Sequence, residues 1–170
     1  MTGHGLVTLG IDPGTAILGF GVIRGDTDPI LIDVGVIETD AKFPMPQRLK
    51  ILHDATSRLI ETFRPDVLAV EQLFFARNVT TALAVGQARG VVLLAAAQAG
   101  IEVAEYSPSE VKFAVVGYGK AEKHQIQEMV RIILNLTTAP HPDDAADALA
   151  VALCHAQTAP FMAKVAQHDL

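Results

Sequence analysis

Apolar and polar positions change rhythm along the chain and divide it into strands and helices. The N-terminal part carries three apolar runs, Leu6 to Asp12, Leu18 to Arg24 and Ile30 to Thr39. The breaks between them, Pro13-Gly14-Thr15 and Gly25-Asp26-Thr27-Asp28-Pro29, are rich in turn formers, so the runs read as strands. Connections this short favour an antiparallel meander. Beyond Pro44 and Pro46 the spacing lengthens. Leu49, Leu52, Leu59, Ile60 and Phe63 recur at helical intervals, and Pro65 ends that helix before the apolar run Val67 to Val70.

A long helix is expected from Asn78 to Gln98, with Ala82, Gly86 and Gly90 forming a stripe of small residues that a neighbouring element can approach closely. Val103 to Tyr106 reads as a short strand. Ser107-Pro108-Ser109-Glu110 has the hydroxyl, proline and acid of a helix start, and the helix it opens runs to Val116. After the turn Gly117-Tyr118-Gly119-Lys120, the residues Ile126, Met129, Val130, Ile133 and Leu134 form the apolar face of another helix. The last helix opens at His141-Pro142-Asp143-Asp144 and runs through Ala156. This order predicts an α/β fold: a five-stranded mixed sheet, antiparallel meander plus parallel crossovers, with helices on both faces. One domain is expected over residues 1–159, followed by a flexible tail over 160–170.

Composition fits one compact unit. A chain of 170 residues, 50% of them hydrophobic and 19% charged, is too apolar for disorder. The single cysteine, Cys154, excludes an internal disulfide or a multi-cysteine zinc site and suits a reducing, cytoplasmic setting. No signal peptide is expected, because Met1 to Val7 lacks a basic segment and a long apolar core. No membrane span is expected either, because Gln87 and Arg89 interrupt the apolar stretch Val79 to Ala99.

Charge narrows the picture further. The 13 Lys and Arg against 19 Asp and Glu give −6, which argues against binding polyanions through a uniformly basic surface. DNA stays compatible with that sum if acids gather around divalent cations and a local basic strip meets the phosphates. The placement of the acids favours such an arrangement. Asp12 ends the first strand at a tight turn, a position that suits either a binding crevice or a turn-forming acid. Glu71 follows directly on an apolar strand, where glutamate is disfavoured. If these strands are parallel neighbours, the two carboxylates leave the same end of the sheet. Asp143 and Asp144 also have an ordinary role as acids of a first helical turn, whereas Asp147 does not. Asp144 and Asp147, three apart, share one helix face.

Together Asp12, Glu71, Asp144 and Asp147 form an all-oxygen set suited to Mg²⁺ or Mn²⁺, and the chemistry this points to is two-metal phosphoryl transfer. Phe74 and Arg77, close behind Glu71, are candidates to meet DNA, the phenylalanine by stacking on an unpaired base. Lys112, Lys120 and Lys123 surround the Gly117 to Gly119 turn and are candidates for the basic strip.

Five segments resemble the RuvC family of Holliday-junction resolvases. They are Gly10-Ile11-Asp12-Pro13-Gly14-Thr15, Val70-Glu71-Gln72 with Phe74 and Phe75, Gly86-Gln87-Ala88-Arg89-Gly90, Val115-Val116-Gly117-x-Gly119, and Asp144-Ala145-Ala146-Asp147-Ala148-Leu149-Ala150. The resemblance spans about Leu6 to His155. It implies an RNase H-like fold, a homodimer, and paired Mg²⁺-dependent nicks that resolve a four-way DNA junction into ends with 5′ phosphate and 3′ hydroxyl. The family's four catalytic, metal-binding acids match Asp12, Glu71, Asp144 and Asp147, and its DNA wedge matches Phe74. Branch-migration proteins of the RuvA and RuvB type are the partners it implies. The first segment is also shared with actin-like ATPases, but these need a second phosphate loop and two lobes. A non-catalytic junction-binding module would have no use for four converging acids.

Overall fold

The computed structural model describes residues 5–73 and 78–168, with 162–168 as backbone only. The antiparallel meander forms from β1 (Val7–Asp12), β2 (Ile17–Arg24) and β3 (Ile30–Glu38). Helix α1 (Met45–Phe63) crosses to β4 (Val67–Glu71), and α2 (Val79–Ala99) crosses to β5 (Glu102–Tyr106). Three helices follow: α3 (Pro108–Val116), α4 (Lys123–Ile133) and α5 (Asp143–His168). The sheet order is β3-β2-β1-β4-β5, with β4 parallel to both β1 and β5. The mixed sheet expected from the sequence is therefore the one formed.

Alternation along the strands separates two cores. Leu9, Ile11, Leu18, Val22, Leu68 and Val70 point to one face, where Leu52 and Ile60 of α1 and Ala88, Val92, Ala95 and Ala96 of α2 cover them. Ile23, Ala69 and Tyr106 point to the other and pack on Val111 and Val115 of α3, Ile126 and Val130 of α4, and α5. Helix α2 is long and apolar enough to cross a membrane, yet its Ala88, Val92, Ala95 and Ala96 belong to the sheet core.

Close approach between helix and backbone occurs on β1 and β2. A Cβ on Gly10 would lie 2.1 Å from the Ala148 carbonyl, and one on Gly19 would lie 2.0 Å from the Asp144 carbonyl. At Gly21 it would meet Leu149 Cδ2 at 2.5 Å. Any side chain at these positions would hold α5 away from the sheet. The small-residue stripe of α2 is less closely approached: a Cβ on Gly86 would meet Leu73 Cδ2 at 3.4 Å, and nothing described lies within 4 Å of one placed on Gly90.

Local signals set the element ends. Ser107 Oγ accepts the Glu110 amide while Glu110 accepts the Ser107 amide, the capping box that the sequence indicated. The C-terminal segment differs from expectation. Helix α5 does not stop at Ala156 before a tail but continues through Pro160 to His168.

Candidate active site

The carboxylates arrive from two bodies, the sheet and α5. Asp12 and Glu71 each stand one residue beyond the last paired positions of parallel β1 and β4, Ile11 and Val70. Strand alternation gives Asp12 the face of Gly10 and Glu71 the face of Ala69, which is the face α5 covers. Asp144 and Asp147 lie in the first turns of α5, directly over this end, because Gly19 lets the Asp144 backbone sit against β2. The fold brings Glu71, Asp144 and Asp147 near enough for their charges to act on Asp12.

Their electrostatics reflect the crowding. Burial, together with the charges of Asp147, Asp144 and Glu71, pushes the Asp12 carboxyl up to about 7, with Lys123 opposing. Glu71 is raised by burial and by Asp147, against Lys112. Asp147 is raised by burial even though Lys123 pulls it down. Asp143, the neighbour that could be confused with Asp144, behaves differently. It pairs with Lys123 and accepts from Gln127 Nε2 at 2.9 Å, and these contacts hold its carboxyl below the usual range. Asp143 therefore belongs to the outer rim, whereas the charge of Asp144 acts on Asp12.

Two of the three predicted lysines stand at the acids. Lys112 and Lys123 line a cavity of about 240 Å³ with Glu71 and Asp147. Lys123 Nζ lies 3.2 Å from Asp147 Oδ2 and 3.3 Å from Asp143 Oδ2. Burial alone would lower the Lys123 ammonium, but Asp147 and Asp143 outweigh it and raise it. Lys120 is exposed in the turn before α4 and lines neither cavity at the acids. Phe74 and Arg77 lie outside the described residues.

One residue outside the candidate set read from the sequence stands beside the acids. Arg89, only 16% exposed, pairs with Glu105, and its Nε donates to the Glu71 carbonyl at 3.4 Å. It shares a second cavity with Asp12, Pro13, Glu71 and Gln72. No local sequence signal identifies this contact, because it joins α2 to the ends of two strands distant in the chain.

The donor set suits a hard cation. It is all carboxylate oxygen, it is partly desolvated, and burial and neighbouring acids raise the proton affinity of Asp12, Glu71 and Asp147, which a bound divalent ion would relieve. Among the described residues no three such side chains are gathered tightly enough to hold a single ion. Within this set Asp147 is paired with Lys123.

A mixed sheet in this order, with acids from its two central parallel strands and its last helix, defines an RNase H-like nuclease. The family model described as "Crossover junction endodeoxyribonuclease RuvC" matches residues 8–155. The protein of that name from Chloroflexus aggregans is 59% identical over 155 residues, covering 91% of this chain and 94% of its own. The Thermus thermophilus RuvC structure superposes with a TM-score of 0.85 at 41% identity, covering 92% of this chain and 97% of that one. The T. thermophilus RuvC structure in complex with Holliday junction substrate gives a TM-score of 0.88 at 42% identity, covering 92% and 96%. The chain belongs to the RuvC family of crossover junction endodeoxyribonucleases, which are metal-dependent.

Proposed function

We propose that the protein resolves four-way DNA junctions by paired, symmetric hydrolytic nicks, using two Mg²⁺ ions held by Asp12, Glu71, Asp144 and Asp147, with Mn²⁺ able to substitute. The single observation that carries this reading is the Asp12 carboxyl, pushed up to about 7 by burial and by the charges of Asp147, Asp144 and Glu71. Bound there, the ions supply the Lewis acidity that activates a water and stabilises a leaving 3′ oxygen. Asp12, acted on by all three other acids, is the central ligand; Glu71 and Asp144 flank it, and Asp147 completes the set or orients the water. Lys112 and Lys123 hold phosphates of the cut strand beside the acids. Phe74 wedges between bases, while Arg77 and Lys120 meet the backbone farther out.

Two active sites on a two-fold dimer suit the near two-fold symmetry of an open junction, so recognition is mainly of shape. The outer side of α2 supports a helix-to-helix dimer. Val79, Leu83 and Leu94 are exposed there by 74%, 63% and 50%, and Gly90 offers bare backbone between them. The protein acts in the cytoplasm, on junctions shared with RuvA- and RuvB-type branch-migration proteins. Its products carry 5′ phosphate and 3′ hydroxyl ends.

The test is a labelled mobile four-way junction beside a matched linear duplex, with Mg²⁺, with EDTA and with Asp144→Asn. Symmetric nicks confined to the junction, and lost in EDTA and in the variant, are expected. Junction binding without cutting under any divalent metal overturns the nuclease reading.

A further inference from the structure

The four acids sit on two bodies, so their spacing depends on how α5 is seated against the sheet. The glycine contacts bring the helix close but present smooth backbone, which resists compression better than sliding or rotation. Among the described residues, one side-chain hydrogen bond joins α5 to the sheet: Tyr106 Oη and His155 Nδ1 meet at 2.7 Å. Tyr106 is 9% exposed and His155 7%, with their rings edge-on and centroids 6.0 Å apart. Burial pushes the Tyr106 phenol up to about 12 and the His155 imidazole down, so both are neutral near pH 7. The pair is also well placed. Tyr106 is the register partner of Glu71, and its carbonyl accepts the Gln72 amide at 2.7 Å. His155 lies about two helical turns beyond Asp147 on α5.

We infer that Tyr106 and His155 form a latch that fixes the seating of α5 and thereby the spacing of Asp144 and Asp147 to Asp12 and Glu71. They are positioning residues that act through the acids and not on the substrate, and the inference rests on the proposal that these acids hold the ions. A buried hydrogen bond is directional, so it restrains rotation and sliding where the glycine face does not.

The test is Mn²⁺ binding to metal-free protein, followed by electron paramagnetic resonance well below the melting temperature. Loss of one buried hydrogen bond predicts roughly five- to tenfold weaker Mn²⁺ affinity in Tyr106→Phe and in His155→Leu. His155→Asn, whose amide can replace Nδ1, keeps the native affinity. Because both substitutions break one bond, the double variant Tyr106→Phe/His155→Leu is no weaker than either alone. The Mg²⁺ concentration for half-maximal junction cleavage moves by the same factor, while the rate at saturating Mg²⁺ does not. Ile60→Val, in the core on the opposite face, lowers stability without moving Mn²⁺ affinity. Native affinity in Tyr106→Phe, or an equal loss in Ile60→Val, overturns the latch. Asp12→Asn run alongside separates two failures. Intact Mn²⁺ affinity there removes the ion site and the latch with it, whereas loss there beside an unchanged Tyr106→Phe removes the latch alone.

Discussion

Asp12→Asn is expected to stabilise the metal-free protein and to do so only at higher pH. The folded-state carboxyl titrates near 7 against an ordinary value of 3.8. The native fold therefore binds the Asp12 proton more tightly than the unfolded chain does. Asp12's contribution to stability is intact below about pH 4, shrinks as pH rises through the interval, and is fully lost above about 7. A difference of roughly three pKa units corresponds to about 4 kcal/mol at most, since one unit is ~1.36 kcal/mol. Relaxation of the neighbouring acids reduces this, as does the need to hydrogen-bond a buried amide, leaving a gain on the order of 1 to 3 kcal/mol at pH 8. Urea denaturation in EDTA at pH 5 and pH 8 measures it. The variant should resemble the native protein more closely at pH 5 and exceed it at pH 8, and millimolar Mg²⁺ should stabilise the native protein far more than the variant. If the stability difference between the two proteins is the same at both pH values, the crowding argument is wrong. Cleavage by Asp12→Asn is expected to be lost throughout.

Gly19→Ala places a methyl against the Asp144 carbonyl, a backbone atom unable to swing aside, so α5 must shift. Destabilisation of about 1 to 3 kcal/mol in urea and weakened Mn²⁺ affinity are expected, and native values for both would show that the glycine contact does not seat the helix. Ser107→Ala removes one side of the α3 capping box and should lower the midpoint of thermal unfolding by roughly 2 to 4 °C, as a loss of about 1 kcal/mol implies for a domain of this size. Lys112→Ala should reduce the slope of log affinity for junction DNA against log salt by about 1, and an unchanged slope would remove Lys112 from the phosphate contacts.

The sheet was legible because each strand is bounded by turn residues, and because the Pro65 break before Val67 requires the chain to return to the sheet by a crossover. Convergence of Asp12 and Glu71 follows from that topology alone. The seating of α5 was not legible. Gly10, Gly19 and Gly21 read in sequence as small residues in strands, and only the register shows that they share one face with a helix more than a hundred residues later. The stripe that sequence does reveal, Ala82 to Gly90, marks no comparable contact between described residues. The place of Arg89 was not legible because its partners, Glu105 and the Glu71 carbonyl, become neighbours only when β4 pairs with β5. The extension of α5 past Pro160 runs against a strong local rule, since an internal proline typically costs about 3 kcal/mol. Lys120 and Lys123 are near neighbours in sequence but differ in placement. The Glu122–Gln125 capping box starts α4 between them, leaving Lys120 in the turn and Lys123 on the helix facing Asp147.

The charges that raise the Asp12 carboxyl oppose the fold that brings them together, so something else must hold α5 down. The Lys123 pairs are too weak for that: Lys123 is 54% exposed and its partners 53% and 33%, and ion pairs so open to water contribute about 0 to 1 kcal/mol each. Apolar burial is large enough. Leu149 and Leu153 are both fully buried, and burying each is worth about 1.5 to 3 kcal/mol, so these two alone are comparable to the cost of ionising Asp12. Such burial is non-directional, however, and fixes that α5 packs rather than where along the sheet it comes to rest. Placement then falls to what is specific at the interface: the glycine surface, which sets the distance, and the Tyr106–His155 bond, which sets the register. On this division of labour, stability and ion affinity respond to different residues of the same helix.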